Sequence, residues 1–129
     1  MKLPENAKIY EGELASFWFD ENGILCAIAK STHRTLEKQK ENYAFIREIT
    51  GNKKVCLLSD TTHGSPQDKE TRDYSAQELP NIFNAMAVLS NSPLGQHSAT
   101  IFVALKQEPL PIKMFTDEQE AKEWLKQYL

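Results

Sequence analysis

The sequence predicts an α/β fold: a leading β-hairpin, then βα units around a mixed, mainly parallel sheet packed with helices. Three observations carry this plan. Two short apolar runs flank Asn22-Gly23, a dipeptide whose residues tolerate the positive φ of tight hairpins. Apolar residues at helical spacing then alternate with short continuous apolar runs. With 129 residues and no internal repeat or linker, one domain spanning 1–129 accounts for the whole chain.

Taken in order, residues 8–19 read as extended, ending in the aromatic-rich Phe17-Trp18-Phe19. Ile24 to Ala29 is the returning strand. Ser31 to Thr35 offers several N-caps for a helix from Leu36 to Ile49, whose stripe is Leu36, Tyr43, Ile46 and Ile49. Gly51 follows as its stop. Lys54 to Ser59 is a continuous apolar run, the pattern of a strand buried on both faces in a parallel sheet. Asp68 to Ser75 reads as a helical turn. A second helix is expected over Ala76 to Asn91, with Leu79, Ile82, Phe83, Met86 and Leu89 as its stripe. Pro80 fits only a first turn, which would start the regular helix near Leu79. Ala99 to Leu105 is the clearest buried strand, and Ile112 to Phe115 a last short one. Thr116, with Gln119 three residues on, caps the final helix, which carries Ala121, Trp124, Leu125 and Tyr128 on its apolar face.

Composition narrows the function. Hydrophobic residues make 40% and charged residues 26% of the chain, which is the balance of a globular protein rather than a disordered one. A net charge of −3 argues against nucleic acid as a partner. No stretch approaches the roughly 18 apolar residues of a membrane span, and the start lacks a signal-peptide core, so the expected compartment is the cytoplasm. Cys26 and Cys56 each lie in an apolar run and read as buried thiols, not as a metal pair. His33, His63 and His97 belong to loops at opposite sheet edges and do not make a metal site. No phosphate-cradling glycine motif and no nucleophile elbow is present, so neither a cofactor nor an enzyme is expected.

The best site candidate is the polar loop after the Val55 strand, because ligands of open α/β sheets bind beyond the carboxyl ends of strands. Asp60, Thr61, Thr62 and Ser65 make it a phosphorylation or partner-recognition loop, against the plainer reading of a self-capping connector. Arg72 stands beside it, to hold an anion or to pair with Asp68 or Asp73. Leu14 and Trp18 share one apolar face of the first strand. They are either covered core or a homodimer interface, since exposed apolar edges are normally protected.

The run Ser90-Asn91-Ser92-Pro93-Leu94-Gly95, the strand 99–105, the spacer with Pro109 and Pro111, Lys113, Phe115 and the ending 116–125 together resemble bacterial STAS-like proteins of the SpoIIAA-like fold, a group common in Bacteroidetes. Arg72-Asp73-Tyr74 resembles the group's Arg-x-Tyr. The resemblance implies a βα superhelix and a non-enzymatic regulatory or protein-binding module with an unidentified protein partner, or else a small-ligand or lipid carrier. Anti-sigma-factor antagonists of this fold carry a phosphorylatable serine in an Asp-Ser-Ser-Gly-like turn. Here the comparable residues are Asp60, Thr61 and Thr62, with the glycine displaced to Gly64.

Overall fold

The computed structural model describes residues 1–90 and 110–129. Six strands form one sheet in the order β1-β2-β3-β4-β5-β6. They are β1 (Tyr10–Glu11), β2 (Ala15–Phe19), β3 (Leu25–Ala29), β4 (Val55–Asp60), β5 (Phe83–Leu89) and β6 (Ile112–Phe115). The first two pairings are antiparallel and the last three parallel, so the sheet is mixed and mainly parallel. The described helices are α1 (Leu36–Thr50), α2 (Lys69–Ile82) and α3 (Glu118–Leu125), the last running into a 3-10 turn at Lys126–Tyr128.

The hairpin turn departs from the expected form. Only Gly23 takes a positive φ, +81°, while Asn22 does not. The loop is instead organised by Asp20, whose Oδ1 accepts from the N–H groups of Asn22 and Ile24 at 2.9 Å each. Helix α1 starts where a hydroxyl is available: Thr35 Oγ1 accepts from Lys38 N at 3.2 Å. It ends at Gly51, whose φ of +65° places it in the left-handed region.

The largest correction concerns residues 76–91. The helix begins at Lys69, capped by Asp68, and stops at Ile82. Phe83 then turns extended (φ −124°, ψ 150°), and the chain continues as strand β5. Pro80 therefore sits near the end of α2, not at its start. Phe83, Met86 and Leu89 do fall at helical spacing, and alanine favours helix. Yet all of β5 except Asn84 is buried, and a strand enclosed on both faces carries no alternation to mark it. Strand β4 is enclosed as expected, but its neighbours are β3 and β5, which occupy both of its edges. The strand expected at 99–105, His97 and the Ser92–Gly95 and Pro109 features lie outside the described residues. At the other end, α3 is capped by Asp117, not Thr116: Asp117 Oδ2 accepts from Glu120 N at 2.9 Å.

Helices α1 and α2 pack on one face of the sheet, as two successive crossovers in the same direction require. Tyr43, Ile46, Leu79 and Ile82 meet Phe17, Leu25, Leu57 and Met86 there. Ala121 and Leu125 of α3 cover the other face, against Trp18, Cys26, Cys56, Leu58 and Leu89. Both cysteines are buried, free thiols of this second layer. Burial drives the Cys26 thiol up to about 12 and raises Cys56 as well. Leu14 and Trp18 are 1% and 6% exposed, so the core alternative describes them and neither is offered to a second copy of the chain.

Candidate ligand-binding site

Strand periodicity decides what the polar loop can do. Successive side chains of β4 point to opposite faces. Leu57, Ser59 and Thr61 turn toward α1 and α2, whereas Leu58 and Asp60 turn toward the α3 side. Asp60 is only 6% exposed, and its Oδ2 accepts from the Met1 amino group at 2.6 Å. Burial alone would raise its pKa, but that ammonium group and the Thr62 N–H, 3.0 Å from Oδ1, bring it below the usual carboxylate range. The expected loop is thus split. Asp60 serves the far layer, while Thr61 and Ser65 border the near one.

On the near side lies a cavity of about 210 Å³ between the sheet and the two helices, at the carboxyl ends of the parallel strands. Its floor is made of small residues. Ala15 pairs with Ala29, and Ala27 with Ser59, across neighbouring strands. Where larger side chains would fill the layer, these four leave space. Leu57, Ile46 and Met86 close the deeper end.

The polar wall comes from the first halves of both helices. Gln39 and Ser75 are 3% and 1% exposed. Tyr43 Oη donates to Ser75 Oγ at 2.7 Å, and Gln39 Nε2 donates to Tyr43 Oη at 2.8 Å. Ser75 Oγ donates in turn to Gln67 Oε1 at 3.3 Å. Such a connected network meets the requirement that buried polar groups be hydrogen-bonded. Burial pushes the Tyr43 hydroxyl up to about 12 despite hydrogen bonds to Ser75 and Gln39 and the nearby Arg34 charge.

Two arginines stand at this polar end. Arg34, from the loop before α1, donates from Nη1 to Gln39 Oε1 at 3.3 Å. Burial lowers its pKa, with the Tyr43 interaction acting the other way. Arg72, in the first turn of α2, donates to the Gln67 carbonyl at 3.0 Å, while its Nε is buried without a partner. The alternative pairing expected for Arg72 does not form: Asp73 is taken by Lys69 at 2.9 Å.

Of the residues singled out from sequence, Thr61, Ser65 and Arg72 border the cavity; Asp60 does not, and Thr62 is not among its lining residues. Ser59, at the start of the expected loop, lines it too, whereas Arg34, Gln39, Tyr43 and Ser75 were not anticipated as site residues. A signal existed for two of them. Gln39 interrupts the Leu36–Tyr43–Ile46 stripe of α1, and Ser75 lies four residues before Leu79 on the buried side of α2.

The fold is similar to that of a DUF3478-family protein with a SpoIIAA-like fold from Shewanella loihica PV-4. The two agree with a TM-score of 0.52 and 18% identity, over 92% of this chain and 91% of that one. The SpoIIAA-like expectation is met at the level of the fold. A comparison with curated proteins finds no match. The model of the family described as Domain of unknown function (DUF7793) matches residues 17–129, and the chain belongs to that family.

Proposed function

We propose that this chain is a non-enzymatic binding module whose cavity takes a small, largely apolar molecule. The observation that carries the reading is the space of about 210 Å³ floored by Ala15, Ala27, Ala29 and Ser59. A cavity of about 150 Å³ holds benzene, so this one suits a ligand of about eight to ten non-hydrogen atoms. Among the described residues, no carboxylate, histidine or cysteine lines it. Its tyrosine is shifted away from neutral pH, not toward it, which supports binding over proton-transfer chemistry.

The test is a titration with 1-octanol and with octanoate, followed by methyl NMR. At least one of them is expected to shift the methyl signals of Ala27, Ala29 and Met86, and Ala27→Leu is expected to remove the response. No shift with either probe, or an unchanged response in the variant, overturns the reading.

A protein-binding, regulatory role is the second reading. It is favoured by the position of the 61–65 loop, which borders the cavity through Thr61 and Ser65 and exposes His63. A partner that reads this edge would sense what the cavity holds. Thr62→Glu should then weaken partner binding, since added negative charge alters the loop. Unchanged partner affinity in that variant discards this reading.

A further inference from the structure

We infer that the cavity selects an amphiphilic anion, a carboxylate with a short apolar tail, and that Arg34 and Arg72 read its charged end. This rests on the cavity reading above and names the ligand class. The argument begins with unpaired charge. Both guanidiniums line the same cavity, and among the described residues neither lies within ion-pair distance of a carboxylate. Asp68, the cap of α2, feels Arg72 and His33 only at longer range. Partly buried cations without an anion are costly unless something compensates them.

The second observation is unused donor capacity. Arg34 spends one hydrogen bond on Gln39 and Arg72 one on Gln67. The Nε of Arg72 is enclosed and unpartnered. A guanidinium offers five donors in a fixed fork that matches a carboxylate, and such charge-assisted bonds are about twice as strong as neutral ones. The third observation is polarity along the cavity. Its arginines lie at the N-terminal ends of the helices that follow β3 and β4, and Ile46 and Leu79 lie further along the same helices, packed with Leu57 and Met86. A head-and-tail ligand fits that gradient in one orientation. Asn42 also lines the wall with an unpartnered Oδ1, and turning its amide over presents –NH2 to the same headgroup.

The experiment compares octanoate, 1-octanol and octylammonium by calorimetric titration of the full chain. Octanoate should bind at least about tenfold tighter than 1-octanol, and octylammonium weakest. Arg34→Gln and Arg72→Gln should each weaken octanoate by about tenfold and change 1-octanol by less than about twofold, so that the alcohol reports whether the variant is folded. Arg34→Lys and Arg72→Lys keep the charge without the fork and should fall between. Equal affinity for octanoate and 1-octanol, with both displaced by Ala27→Leu, overturns the anion inference and leaves the cavity reading standing. Binding of neither probe overturns both.

Discussion

Tyr43→Phe is a sharp probe of the polar wall, because it removes one oxygen and almost no volume. The wild-type hydroxyl donates to Ser75 Oγ at 2.7 Å and accepts from Gln39 Nε2 at 2.8 Å. Each such bond contributes about 1 kcal/mol net. Gln39 Nε2 keeps a second contact to Ser75 Oγ at 3.2 Å, which limits the damage. The variant should therefore lose about 1–2 kcal/mol at neutral pH. The pH dependence has a definite sign. The folded-state pKa of Tyr43 is raised, from 10.0 to about 12, by burial. Its stabilising share is fully present below pH 10 and is lost as pH climbs toward 12. At pH 11 the wild type has given up on the order of 1 kcal/mol through this group, whereas phenylalanine gives up nothing. The gap between the two proteins should be clearly smaller at pH 11 than at pH 7. Cys26 also titrates in that range, but it is common to both and cancels. Urea unfolding followed by tryptophan fluorescence at pH 7, 9 and 11 measures the gap. A gap that stays constant across those values, or a variant as stable as wild type at pH 7, refutes the picture of a buried, bonded hydroxyl.

Three further outcomes can be checked by similar means. Gly51→Ala should cost about 1 kcal/mol in denaturant unfolding, from the left-handed φ of +65° alone, since nothing lies within 4 Å of the added Cβ. Asp117→Ala should cost about 1 kcal/mol and Thr116→Ala much less, a contrast that separates the observed cap of α3 from the one expected from sequence. Cys26 and Cys56 should resist a thiol reagent at neutral pH until urea unfolds the chain. Rapid labelling of the native protein would contradict their enclosure and the raised thiol pKa values.

The sequence made some elements easier to read than others, for physical reasons. Helix α1 was legible because its stripe, its Thr35 cap and its Gly51 stop all agree. Strand β4 was legible because a short apolar run before a polar loop suits a strand enclosed on both faces. Strand β5 was not, because Phe83-Asn84-Ala85-Met86-Ala87 combines helix-favouring alanines with apolar residues three and four apart. Only the pairing with β4 resolves that ambiguity, and pairing is a long-range fact. The site was half legible. Position after a strand marked Thr61, Ser65 and Arg72, but strand alternation sends Asp60 to the other layer, away from its sequence neighbours. Arg34 and Ser75 come to one cavity only through the packing of α1 beside α2, which Arg47 and Glu78 tie together at 2.7 Å.

The slip in register between β4 and β5 has a consequence for how this segment tolerates change. Val55 faces Phe83 while its successor Cys56 faces Ala85, so Asn84 is a spare residue in the ladder. Removing it would set Phe83 and Ala85 side by side opposite Val55 and Cys56, so the ladder would run without a slip and everything downstream would keep its face. Met86 and Val88 would stay beneath α1 and α2, and the two fully enclosed alanines, Ala85 and Ala87, beneath α3. Asn84 is thus the one place in 83–89 where the chain can shorten by a residue and leave both layers as they are.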